Sequence, residues 1–180
     1  MNINQSTSSK SLKGHTDGIY CLKKLNSNKI ISGSDDCTLK LWNIDKQVCL
    51  RTYFGHTKPV ISLIKLKSNK VISGSSNSII KIWSLDSSDC IKTYGINQGH
   101  KNAVFCLVKI NPFLFVSSGS NFNLELWNID IEMSNEVIAQ TINFKEQYGE
   151  IFSLIKLNSN QVVCGNKSGS IIVRSINEVE

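Results

Sequence analysis

Residues 14–45 read GHTDGIYCLKKLNSNKIISGSDDCTLKLWNID: a Gly-His pair, an apolar run, an Asn-rich turn, Ile-Ile-Ser-Gly-Ser, and a close on Leu-Lys-Leu-Trp. The same order returns at Gly55 (GHTKPVISLIKLKSNKVISGSSNSIIKIWSLD) and at Gly99 (GHKNAVFCLVKINPFLFVSSGSNFNLELWNID). In each copy Trp follows His by 27 positions: 15 to 42, 56 to 83 and 100 to 127. A fourth, degraded copy spans Ile151 to Ile176, with Gln147 at the His position and Arg174 at the Trp position. Self-similarity at a fixed spacing marks a chain assembled from one repeated structural unit.

Inside the unit, the apolar runs carry short strands broken by turn residues, and no segment has the 3.6-residue period of a helix. Asn26-Ser27-Asn28 is a tight turn, since Asn tolerates the left-handed backbone such turns use. Strands are expected at 19–25, 29–34, 38–43 and 47–54, with counterparts in the later copies. Lys10–Lys13 is expected to form a further short strand. Ile19–Leu25 has apolar residues on both parities, which fits a strand covered on both faces.

A repeat of about 40–45 residues with Gly-His and a Trp-bearing strand is the propeller-blade pattern. On these residues the chain resembles the WD-repeat (WD40) β-propeller family, over nearly everything after residue 9. The resemblance implies an all-β fold: four blades of four-stranded antiparallel sheet, near 14–54, 55–98, 99–146 and 147–180, over a domain of residues 10–180. Residues 1–9 are read as a disordered tail. Four blades are fewer than the seven or eight usual in the family. A partial or open propeller, a ring completed by a second copy and a true four-bladed ring all remain open.

The family joins His, Ser or Thr, Asp and Trp within a blade by hydrogen bonds. An indole N–H, a hydroxyl and an imidazole have the donors and acceptors for such a set. It is complete in copy one, at His15, Ser32, Asp36 and Trp42. Copy two has His56, Ser73 and Trp83 with Asn77 for Asp; copy three has His100, Ser117 and Trp127 with Asn121. Copy four offers Gln147, Cys164, Ser168 and Arg174, and keeps none of the set. The dipeptide that names the family is here Trp42-Asn43, Trp83-Ser84 and Trp127-Asn128.

Since the three histidines are all blade histidines, none is left as a general base. There is no G-x-S-x-G, P-loop or G-x-G-x-x-G motif, so no catalytic site is expected and no cofactor is implied. Six cysteines stand at 21, 37, 49, 90, 106 and 164 without a C-x-x-C. Repeat register explains their spacing and metal-ligand spacing does not, so no metal is expected. The net charge of +6 comes from 18 Lys and 2 Arg, without a basic run. Few aromatics sit beside basic residues as a stacking platform needs, which argues against nucleic acid. No apolar run approaches the roughly 20 residues of a membrane helix. With no export signal in the first residues, a cytoplasmic or nuclear location is expected.

What the resemblance implies is a non-catalytic scaffold that binds a protein or peptide where the innermost strands begin. Carried over position by position, the partner-binding residues are Gly18, Tyr20, Ile61, Phe105 and Phe152, with Asp35 on the same side. The repeat style is closest to F-box and RING-type ubiquitin-ligase substrate receptors, which implies substrate recognition. Receptors that read phosphate use arginines for it, and Arg51 and Arg174 are badly placed to do so. Lys24, Lys65, Lys109 and Lys156 share one repeat position. They are read as a solvated rim on the opposite face, or as a site for an acidic partner or anionic surface.

Overall fold

The architecture follows from a computed structural model, which describes residues 9–67, 69–95, 100–120, 123–129, 138–142 (backbone) and 149–176. Residues 1–8 of the expected tail, the connection at 96–98, the acidic bend at 130–136, Asn121 and Gln147 lie outside them.

Among the described residues the chain is all strand and turn, with no helix. Blade 1 is β1 (Ile19–Lys24), β2 (Lys29–Ser34), β3 (Leu39–Asn43) and β4 (Val48–Tyr53). Blade 2 is β5 (Val60–Lys65), β6 (Lys70–Ser75), β7 (Ile80–Ser84) and β8 (Cys90–Tyr94). Blade 3 is β9 (Val104–Lys109), β10 (Leu114–Gly119), β11 (Leu124–Asn128) and β12 (Ile138–Ile142). Blade 4 is β13 (Ile151–Lys156), β14 (Gln161–Asn166) and β15 (Ile171–Ser175). Each blade is an antiparallel meander in which sequential strands pair. The turn between the second and third strands bends through a left-handed residue, at Cys37 (φ 65°), Ser78 (φ 70°) and Gly169 (φ 83°).

Two expectations are corrected. Lys10–Lys13 is not a strand, and the sheet of blade 4 has three strands, so the segment closes nothing within this chain. β1 is not covered on both faces: Ile19, Tyr20 and Leu22 are exposed, since among the described residues no sheet packs on that side of it.

The core lies between blades rather than within them. Leu39, Leu41 and Tyr53 of blade 1 pack on Val60, Val71 and Trp83 of blade 2. Ile72, Ile82 and Tyr94 of blade 2 meet Leu107, Phe115 and Trp127 of blade 3. Leu126 and Val116 of blade 3 meet Leu154 and Val162 of blade 4. The aromatic pairs Tyr53–Trp83 (5.8 Å between centroids) and Tyr94–Trp127 (5.4 Å) recur at the same repeat position. A blade has two apolar faces, so burying them takes a neighbour on each side. Blades 1 and 4 have one neighbour each, and the arc is open.

Candidate functional site

Two sets of residues were singled out by the sequence, and they lie in different parts of each blade. The first is internal. In blade 1, Ser32 Oγ takes the Trp42 indole N–H at 2.8 Å and lies 2.6 Å from His15 Nε2. His15 Nδ1 lies 2.7 Å from Asp36 Oδ2. The carboxylate also accepts from the Thr16 amide (3.1 Å), the Thr38 amide (2.9 Å) and the Thr38 hydroxyl (2.6 Å). Burial alone would raise the Asp36 pKa. The Thr38 hydroxyl, His15 and the amides of Thr38 and Thr16 outweigh it and hold the group well below the usual carboxylate range. Gly14 lets the backbone lie flat on the indole: a Cβ there would come within 3.1 Å of the Trp42 ring.

Blade 2 keeps half of this. His56 Nε2 lies 2.7 Å from Ser73 Oγ, and the Trp83 indole donates to the same oxygen at 2.8 Å. Asn77 instead donates to Thr57 Oγ1 (3.1 Å), leaving the buried His56 Nδ1 and Asn77 Oδ1 without partners. Burial, then the nearby Lys81 ammonium, push the His56 pKa down to about 3. In blade 3, Ser117 joins His100 (2.6 Å) and Trp127 (2.7 Å) in the same way. In blade 4 the buried Cys164 stands at the Ser position.

The Asp–His–Ser order in blade 1 is that of a hydrolytic relay. Ser32, however, is fully buried, with its oxygen already engaged by Trp42 and His15. The set works as a structural clasp from the sheet to the strand-entry loop.

The second set lies where the inner strands begin. One backbone contact repeats in all four blades: Asp35 N to Gly18 O (2.8 Å), Ser76 N to Pro59 O (3.0 Å), Ser120 N to Ala103 O (3.3 Å) and Lys167 N to Glu150 O (2.8 Å). Two loops per blade are thereby tied into a common rim. On it Tyr20 and Phe152 are exposed, while Ile61 and Phe105 are half-buried. The Tyr20 hydroxyl donates to Asp35 Oδ2 at 3.3 Å, and that carboxylate's charge, then the bond itself, raises the phenol pKa. Phe105 and Phe152 are in ring contact at 5.1 Å, joining blades 3 and 4. Gly18 leaves open space beside Tyr20. Lys167 and Glu150 form an ion pair at 3.0 Å.

Two lysines of the row, Lys65 and Lys156, are tied to a neighbouring blade. Lys65 Nζ donates to the Leu25 carbonyl of the preceding blade, and Lys156 Nζ to that of Ile110, each at 2.5 Å. Each ammonium is engaged on a strand-end carbonyl left without a ladder partner. Cys21 and Cys106, at one repeat position, reach carbonyls of the following blade in a similar way. Cys21 Sγ reaches the Val60 carbonyl of the next blade (3.6 Å), and burial pushes its pKa up to about 12. All six cysteines are free thiols.

Sequence reading missed Thr38, which holds both the carboxylate and its turn. The signal was present as Asp-Cys-Thr, an acidic residue with a hydroxyl two positions on. It missed the lysine contacts as well, although recurrence in four copies was their trace.

The open arc of antiparallel meanders, three of them four-stranded and held by His-Ser-Trp sets at a fixed register, is the WD-repeat β-propeller architecture. The chain carries WD repeats: the family model for the WD domain, G-beta repeat, matches residues 6–43 and 47–84. A protein described as a probable E3 ubiquitin ligase complex SCF subunit, sconB of Aspergillus clavatus, is 45% identical over 42 residues. That match takes in 23% of this chain and 6% of that protein. F-box/WD repeat-containing protein 7 of Drosophila melanogaster is 49% identical over 43 residues, 24% of this chain and 3% of that one. Protein tipD of Dictyostelium discoideum is 46% identical over 41 residues, 23% of this chain and 7% of its own. The likeness to these proteins is that of about one repeat, a small fraction of their length.

Among solved structures, the computationally designed Ika4 protein superposes with a TM-score of 0.74 at 27% identity, over 93% of this chain and 96% of that one. The WD40 β-propeller domain of Doa1 superposes with a TM-score of 0.76 at 23% identity, over 90% of this chain and 52% of that one. Among the described residues no helix is long and apolar enough to cross a membrane.

Proposed function

We propose that the chain is a non-catalytic recognition platform whose rim, around Gly18, Tyr20, Asp35, Ile61, Phe105 and Phe152, docks a short peptide or protein segment with an apolar anchor. The observation that carries this reading is the exposure of Tyr20 and Phe152 on a rim whose loops are tied by the same backbone bond in every blade. Aromatic side chains on a fixed support lose little entropy on binding and bury much surface, which suits them as anchors.

Panning a peptide library against the chain tests it. Tyr20→Ala and Phe105→Ala should each weaken the selected peptides about 30-fold, the equivalent of about 2 kcal/mol. Ser27→Ala and Lys67→Ala, in turns at the far end of the inner strands, should leave affinity unchanged. The opposite pattern moves the site to the other side of the arc.

The likeness to the sconB and F-box/WD proteins favours a second reading within this one, in which the docked segment belongs to a ubiquitin-ligase substrate. Ubiquitin transfer to a protein carrying the selected peptide, dependent on Tyr20, would support it.

A further inference from the structure

The two ends of the arc are the two halves of one interface. Between neighbouring blades, one face of the leading blade always meets the opposite face of the following one. On the leading faces, Leu39, Ile80 and Leu124 hold one repeat position and are 0%, 1% and 0% exposed; their counterpart in blade 4, Ile171, is 81% exposed. On the following faces, Leu63, Leu107 and Leu154 are 8%, 7% and 7% exposed; their counterpart in blade 1, Leu22, is 62% exposed. Ile19 shares β1 with Leu22, and Ile155, Leu157 and Val173 share blade 4 with Ile171; all are apolar and exposed.

The polar groups are matched too. Lys65 and Lys156 reach back to the carbonyls of Leu25 and Ile110. At the free ends the same two repeat positions are Lys24 and Leu157. Ser62 Oγ reaches forward to the Val104 carbonyl at 3.0 Å. Its counterpart at the free end is Ser153, and the carbonyl position is that of Ile19.

We propose that a second copy of this chain covers both faces at once, blade 4 of each meeting blade 1 of the other, to close a ring of eight blades about a twofold axis. The extent of the match to a larger propeller supports two copies rather than a closed ring of four. The arc superposes over 90% of its length on about half, 52%, of the Doa1 propeller domain. The part of that domain left unmatched is about as long as the arc itself. The faces identify what covers them: three times within this chain, each is covered by the other, and only that pairing gives Lys24 the Leu157 carbonyl. A contact of like with like would set Leu22 against Leu22 and leave these groups unmatched. Two unlike seams related by a twofold axis satisfy both ends and leave no free face to propagate. The proposal is independent of the peptide-docking reading.

Sedimentation equilibrium of the 180-residue chain tests it. The expected mass is twice the 20.1 kDa of the chain. A single-copy mass overturns the proposal, and assemblies beyond two copies overturn closure. Leu22→Glu and Ile171→Glu change side chains exposed in the single chain, so each variant should fold, with an unchanged far-ultraviolet spectrum, and sediment as one copy. Mixing the two variants should restore a two-copy species, because one seam then joins two unaltered faces. If Ile171→Glu alone still dimerises, the pairing is like with like and the proposal fails. Should the mixture stay at one copy while the unaltered chain dimerises, the unlike-face pairing is likewise overturned.

Discussion

Blades 1 and 2 share a backbone, a register and a His-Ser-Trp core, yet in blade 1 both imidazole nitrogens are engaged and in blade 2 only one is. The difference comes from two positions. Asp36 becomes Asn77, and Thr38 becomes Ile79. The amide of Asn77 turns to Thr57, while Ile79 has no hydroxyl to hold a carboxylate in place. A buried nitrogen without a partner costs free energy that the same blade with Asp would not lose. The lesson is that the Trp and Ser ends of the clasp survive alone, because they are buried in the inter-blade core, whereas the loop end depends on charge and on the turn that presents it.

The largest effect should come from removing the anchor at the core. Trp42→Ala opens a cavity and takes the indole donor from Ser32 and the neighbouring ring from His15, at a cost of about 3–5 kcal/mol. Arg174→Ala, at the matching position of blade 4, should cost under about 1 kcal/mol. Urea unfolding followed by circular dichroism compares them, and equal midpoints would break the contrast. Next, Asp36→Asn should turn the clasp of blade 1 into that of blade 2, losing about 1.5–3 kcal/mol as hydrogen bonds to a charged group disappear. Thr38→Val should be smaller, about 1 kcal/mol, because the Thr38 amide and His15 still hold the carboxylate.

Strands and clasp members were legible because each rests on local chemistry repeated at a fixed spacing. Predicted and observed strands agree within about a residue from β1 to β11. His15, Ser32 and Trp42 were readable because Gly-His, Ile-Ile-Ser-Gly and Leu-Lys-Leu-Trp recur almost unchanged. The roles of Lys65 and Lys156 were not, since a bond to a backbone carbonyl in another blade leaves no complementary residue type to look for. The exposure of β1 was hidden for a related reason. Its sequence is that of a covered inner strand, and whether it is covered depends on a neighbour outside its own blade. The rim could be listed by carrying positions over, but the contact between Phe105 and Phe152 depends on how two blades splay.

The histidines are structural wiring, and an aspartate in the loop completes the circuit. His56, with its pKa pushed down to about 3 from an ordinary 6.5, binds a proton more readily in the unfolded chain. The stability this neutral imidazole retains above about pH 6.5 is therefore lost as the pH falls toward 3. Asn77→Asp should give His56 Nδ1 a partner and raise its folded pKa. Measured as unfolding midpoint against pH, the variant should be more stable than the parent near neutrality by about 1–2 kcal/mol. Its loss between pH 6.5 and 4 should flatten, and the steep decline should begin only where the new carboxylate protonates. A variant less stable than the parent, or one with the same acid profile, would contradict the claim.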